Sequence, residues 1–422
     1  MVEEFWTSRD VLAHIRDFAR ARRAGPWGTL GVALARAVAA VPPTVTLPAT
    51  VGGRMSLNLF AALAAPSGGG KGACEAAARD AVACSEDPTG LRVVEIPEYP
   101  LGSGEGIART FRPAGVDDDE PNREDRALFS APEVDTLTAL FARSGSTLEG
   151  ELRKLYSGET IGFNNAQKAT RTVVPAHSYR ACLMVGVQPL RAGALLDGAD
   201  GGTPQRFLWL PVTDPDAPDE APKDPGQWVV RMPQPTWAPG SLVIPDVAHA
   251  AIDSARLARL RGEPEDGSNL DGHALLTRLK VAAALMILDG RSVMNDDDWF
   301  KAGVVMAVST STRAGVQRAA AEQSRKANQA RALAAAEREE AIADRKLQRA
   351  RDAIIRWLER AGEHSNRELA RRLKTDIREW LDPALAELED EGIVLTSEAK
   401  QGGRRHRLAD ADSDGGTNGT PV

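Results

Sequence analysis

The sequence predicts an α/β fold, a mostly parallel sheet covered by helices, followed by a small helical module that ends in a β-hairpin. Three observations predict it. Short apolar runs alternate with segments of helical spacing between about residues 55 and 210, the pattern of strands joined by crossover helices. One run, within 56–79 (SLNLFAALAAPSGGGKGACEAAAR), ends in a glycine cluster and a lysine before a small-residue helical segment. Finally, 351–408 reads as three helices and two strands around a basic turn.

Composition sets the bounds. The 422 residues are enough for two or three domains with an ordinary core. The Ala/Arg/Asp bias, with only 5% aromatic residues, suits a high-GC bacterial genome or one of its phages. A formal net charge of −7 excludes a uniformly basic nucleic-acid coat, so DNA contact has to come from local patches or an interior channel. Cys74, Cys84 and Cys182 are widely spaced with no CxxC, which argues against a zinc site or a disulfide framework and for thiols in a reducing cytoplasm. The longest apolar run, 28–41, is interrupted by Arg36 and ended by Pro42-Pro43, and the start of the chain is acidic at Glu3 and Glu4. No membrane association is expected, and the bacterial host's cytoplasm is the expected location.

In chain order, Ser8 is positioned to cap a helix through about Arg22, with Val11, Leu12, Ile15 and Phe18 on one face. Arg16, Arg20, Arg22 and Arg23 form its other face, either a solvated stripe or a contact surface. A helix over 29–40 follows. After the glycine loop and its helix, 91–96 (LRVVEI) reads as the second strand, 126–130 as the third, 181–187 (ACLMVGV) as the next and the end of 201–210 as the last. Residues 114–125 read as an acidic surface loop, 137–155 as helical, and 211–225 as a Pro/Asp-rich exposed excursion. The expected organisation is a helical region over 1–50, an ATPase-type core over 51–250, a helical lid over 251–312, a solvated helical connector over 313–350, the module over 351–408 and a disordered tail over 409–422.

The chemistry centres on the glycine loop. Pro66, Ser67, Gly68, Gly69, Gly70, Lys71, Gly72 and Ala73 form a variant of GxxxxGK[ST], with Ala65 in the first glycine slot and Gly72 in the hydroxyl slot. Glycines let backbone N–H groups turn inward, the helix N-terminus adds positive potential, and the lysine neutralises phosphate charge. ATP with Mg²⁺ is the expected ligand. Hydrolysis also needs a metal ligand, a water-polarising carboxylate, a γ-phosphate sensor and a cation. Glu105 and Glu133 are the carboxylate candidates, with Glu133 and Asp135 as metal ligands in place of the missing hydroxyl. Gln188 is the sensor candidate and Arg206 the arginine-finger candidate, reaching its own or a neighbouring subunit's nucleotide. Each also has an ordinary role: a turn residue for Glu105, a helix cap for Asp135, a strand end for Gln188, a structural cation for Arg206.

In the last module, three helices and a hairpin describe a winged helix, a helix-turn-helix variant. Arg371, Arg372, Lys374 and Arg378 around its second turn, and Arg404, Arg405 and Arg407 on the wing, are candidate contacts to DNA phosphates, single- or double-stranded. The acidic run Glu387, Glu389, Asp390 and Glu391 leaves protein docking as the other reading.

The order of P-loop, glutamate, acidic residue, glutamine and arginine resembles the RecA-like core of hexameric replicative helicases. More closely, 65–72, 102–106, 143–154 (RSGSTLEGELRK), 186–189 and 202–209 resemble a family of P-loop ATPases from actinobacterial phages, prophages and plasmids, found fused to or beside primases. The resemblance spans about 55–308. It implies a hexameric ring with DNA-dependent ATPase or helicase activity in mobile-element replication, beside a separate primase. A nucleotide-switched initiator or helicase loader is the competing reading, and a DNA-binding regulator with a degenerate loop the third.

Overall fold

The computed structural model describes residues 2–87, 89–112, 124–166, 171–197, 202–232, 240–263, 273–398 and 403–409. Most of the expected acidic loop, the start of the last strand's turn, part of the wing tip and nearly all of the expected tail lie outside them. The chain divides into two units, 1–323 and 324–422.

In the first unit, a five-stranded sheet is built from β1 (Phe60–Ala64), β2 (Glu98–Pro100), β3 (Arg126–Ala131), β4 (Arg180–Val187) and β5 (Phe207–Pro211). All pairings are parallel and the order is β5-β1-β4-β3-β2. β1 and β4 are buried at every position, which is why they read as continuous apolar runs. The chain leaves β1 for the far edge and then steps back past it, so its crossovers cover both faces. The helices before β2 are α1 (Val2–Thr7), α2 (Asp10–Ala21), α3 (Pro26–Ala40) and α4 (Lys71–Ala81). Then come α5 (Gly104–Thr110), α6 (Val134–Phe141), α7 (Leu148–Ser157), α8 (Gly193–Asp197), α9 (Asp246–Leu260) and α10 (Ala274–Leu288). Leu59, Ala61, Leu63, Met184, Leu208 and Leu210 pack with α3, α4 and α10. Phe60, Ala62, Phe129, Val185, Phe207 and Trp209 pack with α5, α6 and α7 on the other face.

Several elements differ from the sequence reading, each for a local reason. Residues 91–96 form no strand: Leu91 is 86% and Val93 48% exposed, and the segment folds back through Glu86 N–H to Arg92 O (2.9 Å) and Val94 N–H to Cys84 O (2.8 Å). The sheet position goes instead to Glu98–Pro100 at the edge. Val82–Ser85 leaves α4 without a break and pairs in parallel with Trp228–Arg231. Ser8 caps nothing; its hydroxyl donates to Phe5 O (2.7 Å), and Arg9 is the N-cap of α2. The helical stretch 137–155 is broken at Gly145, which sits at φ 75°.

The arginine face of α2 makes ties to later chain while Arg22 and Arg23 remain exposed to solvent. Arg20 pairs with Asp214 (2.8 Å) and Arg22 with Asp224 (2.9 Å), while Arg23 donates to Pro218 O and Asp219 O, both at 2.6 Å. It thus ties down the excursion that follows β5.

The amino edge of the sheet holds two buried cations. Arg180, fully buried, donates to Val41 O, Pro42 O and Val45 O and to the Ser56 hydroxyl at 2.6–3.3 Å. Burial lowers its guanidinium to about 10. Lys280, equally buried, donates to Asn58 O (2.7 Å) and Tyr156 O (2.5 Å), and burial pulls its ammonium well below the ordinary lysine value. Such donors hold irregular chain at the sheet margin without leaving carbonyls bare. Cys74, Cys84 and Cys182 are free and buried. Burial raises all three, Cys84 to about 12 and Cys182 to about 11, so they are unreactive thiols.

The expected lid helix and connector are one helix, α11 (Asp296–Ala361), opened by Asp296, Asp297 and Asp298. The division between units falls inside it. The second unit adds α12 (Asn366–Arg372) and α13 (Leu381–Asp390), the latter preceded by a 3-10 turn over Thr375–Trp380, where helical spacing alone predicts one helix over 377–391. Its antiparallel sheet has the order His364–Ser365, Arg404–Leu408, Val394–Glu398. Ser365 and Glu368 form a capping box, and Ile354, Leu358, Leu369, Leu385, Leu388 and Val394 make the core.

Candidate functional site

The glycine loop begins where β1 ends. Ala65 N–H donates to Val187 O (3.0 Å), carrying the β1–β4 pairing one residue further before the chain turns. Gly68 and Gly70 hold φ of 72° and 93°, the left-handed region that favours glycine. Gly69 has no room for a side chain, since a Cβ there would lie 2.7 Å from Ala65 Cβ and 3.0 Å from Pro66 O. Gly70 is the N-cap of α4 and supplies no side-chain cap to its first turn, where a helix carries positive potential. Lys71 is the first residue of that helix.

The lysine reaches across the neighbouring strand. A Cβ added to Gly186 in β4 would sit 3.1 Å from Lys71 Cε and 1.9 Å from Pro132 O, so Lys71, the end of β3 and the end of β4 converge on one glycine. The register agrees: Ala64 pairs with Val187, and Ala131 with Val185. Gln188 and Glu133 therefore follow at the same edge. Gln188 is half-buried at the end of β4. Glu133 is exposed and makes no side-chain cap to α6. Asp135, in the first turn of α6, forms an ion pair with Arg191 beyond β4. One turn along α4, burial raises the Glu75 carboxyl, opposed by Arg79 and Lys71.

Glu105 and Arg206 stand apart. Glu105 is in the first turn of α5, beyond the edge strand β2, with two strands between β2 and β1, about 14 Å across. Thr147 Oγ1 donates to its Oε1 at 3.3 Å, and 102–105 and 143–148 line a cavity of about 160 Å³. The two quoted segments thus meet each other rather than the lysine. Arg206 precedes β5 and so lies at the sheet's amino edge, a strand length of about 17 Å from the loop. Its Nη1 donates to Gly202 O (2.7 Å), and it lies 6.0 Å from the Tyr156 ring centroid. As a finger for its own subunit's nucleotide, Arg206 is on the wrong edge.

A magnesium ion fits this edge only through water and few carboxylates. Gly72 has no hydroxyl, Asp135 is occupied by Arg191, and the described residues hold no group of three His, Cys, Asp or Glu side chains placed to ligate a metal. Glu133 is the carboxylate left to a hydrated ion. Sequence reading gave no role of their own to Gly186, which lies in the quoted segment 186–189, or to Arg191 and Glu75. A glycine interrupting a buried strand was the signal for the first, and a cation three residues past Gln188 the signal for the second.

In the second unit, Arg371, Lys374, Arg378, Arg404, Arg405 and Arg407 are exposed. Arg372 lies over the Trp357 ring at 4.4 Å, and Arg405 is 3.8 Å from Glu363. Arg405 and Arg407 point away from the core, while His406 between them is buried. Three of the four acids near the end of α13 make internal ties: Glu387 and Glu391 pair with Arg351, and Glu389 faces His406 at 3.4 Å. Neither any protein-family model nor any curated protein matches this chain.

Proposed function

We propose that the chain is a RecA-like P-loop ATPase that works on DNA as a ring-forming helicase or translocase in mobile-element replication. The observation that carries the reading is the uncapped α4 N-terminus with Lys71 laid over Gly186, at the carboxyl edge where the chain leaves β1 and β4 in opposite directions. Open α/β sheets bind ligands at that kind of switch point. The loop N–H groups and Lys71 would hold the β- and γ-phosphates, Glu133 would orient water, and Gln188 would sense the γ-phosphate. Bound Mg²⁺ would supply neutralisation of the phosphate charge. Arg206, at the opposite edge, would serve a neighbouring subunit's nucleotide. The exposed arginines of the winged-helix-like second unit support DNA as the partner.

Gly72 and the engaged Asp135 favour a second reading, a nucleotide-switched initiator or loader that hydrolyses slowly. Steady-state ATPase with and without single-stranded DNA, on wild type and Lys71→Ala, separates them. DNA-stimulated turnover abolished by Lys71→Ala supports the motor. Lys71-dependent ATP binding with turnover that DNA leaves unchanged supports the switch, and absence of ATP binding refutes both.

A further inference from the structure

Along α11, residues 328–342 are exposed at every position, and this Ala-rich stretch carries an ordered row of charge. Arg331, Arg338 and Arg345 are seven residues apart. On an α-helix that spacing turns each by only about 20° from the last and sets them about 10.5 Å apart along one face. Their neighbours three and four residues away are Ala327, Asn328, Ala334, Ala335, Ala341, Ile342, Gln348 and Arg349, with no carboxylate among them. Glu322, Glu337, Glu339, Glu340 and Asp344 all fall about 100° or more from the row. Arg331 donates to neutral Asn328 (3.3 Å), and among the described residues none of the three forms an ion pair. The row ends at Arg349, which is tied to Asp376 of the same unit at 3.0 Å.

We infer that this face of α11 is a docking surface for the phosphodiester backbone of nucleic acid. A face of mixed charge would be satisfied within the helix by i,i+4 pairs. Here acids and bases are segregated, and the arginines keep their full capacity for charge-assisted bonds to an anionic polymer. Phosphates recur at shorter intervals than the arginines, so each side chain finds one without distortion of either partner. The inference rests on DNA being the partner, and adds a contact outside the basic residues of the terminal module.

The test uses the full chain with a fluorescent single-stranded oligonucleotide and its duplex, titrated over a range of salt. Gln has nearly the helix propensity of Arg, so Arg331→Gln/Arg338→Gln/Arg345→Gln should keep the helical circular dichroism. The slope of log affinity against log salt should shrink by about 2 for the single strand and about 2.7 for the duplex, and the triple Lys variant should keep the wild-type slope. A shift with one oligonucleotide alone identifies the form bound. If the triple variant loses helicity, Arg338→Gln alone should still lower the slope by about 0.7–0.9. An unchanged slope in variants of a chain that binds DNA refutes this surface alone. Failure of the wild type to bind either oligonucleotide refutes the DNA reading and this surface with it.

Discussion

Gly186→Ala tests whether the sheet and the lysine are coupled as the geometry implies. The new methyl group would start 1.9 Å from Pro132 O, a main-chain atom that moves only with the end of β3, and 3.1 Å from Lys71 Cε. Overpacking of this kind costs about 1–3 kcal/mol, and the lost freedom of the unfolded chain returns about 0.4–1 kcal/mol. A net loss of about 1.3 kcal/mol should lower the melting temperature of the first unit by about 3 °C, the lower end of the range for large domains. Displacing the ammonium forfeits part of a charge-assisted contact of about 1.5–3 kcal/mol, so the affinity for a fluorescent ATP analogue should fall about tenfold or more. Gly72→Ala is the stability control, because a Cβ there meets nothing within 4 Å. Melting within a degree or so of wild type, together with analogue affinity within about twofold, would refute the convergence of β3, β4 and Lys71 on this glycine.

Gly72→Ser restores a hydroxyl where there is open space, so the Mg²⁺ concentration for half-maximal nucleotide binding should fall; an unchanged Mg²⁺ titration counts against metal binding beside this residue. In the second unit, burial holds His406 below its ordinary value of 6.5, with Glu389 opposing. The unfolded chain therefore binds the proton first as pH falls, and stability present above about pH 6.5 is lost below it. The melting difference between wild type and His406→Gln should change across that window, and a constant difference argues against the buried neutral imidazole.

The strand, loop and helix of the glycine motif were legible because their requirements are local: an apolar run buried on both faces, glycines at left-handed positions and a small-residue helix. β4 was legible for the same reason. The edge strand Glu98–Pro100 was not, because an edge strand needs little apolar surface, whereas the apolar 91–96 is spent on a turn held by main-chain bonds. Arg20 and Arg22 find their acids about two hundred residues away, beyond the reach of any local pattern. The side of the sheet on which Arg206 falls was available in the sequence, since a residue that precedes a parallel strand lies at its amino edge. Lys71, Glu133 and Gln188 follow their strands and share the opposite edge.

The position of β1 between β4 and β5 has a consequence for synthesis. Phe60–Ala64 has hydrogen-bonding partners on both sides, and they are supplied by residues 180–187 and 207–211. Until about residue 211 leaves the ribosome, this apolar strand has at least one bare edge, the kind of edge that recruits other chains. An N-terminal fragment ending before β5 carries every residue of the glycine loop, yet it leaves open the sheet that holds the loop in place. Translation pauses or truncations upstream of that point should yield aggregation-prone chains, so the last strand to arrive completes the support for the first.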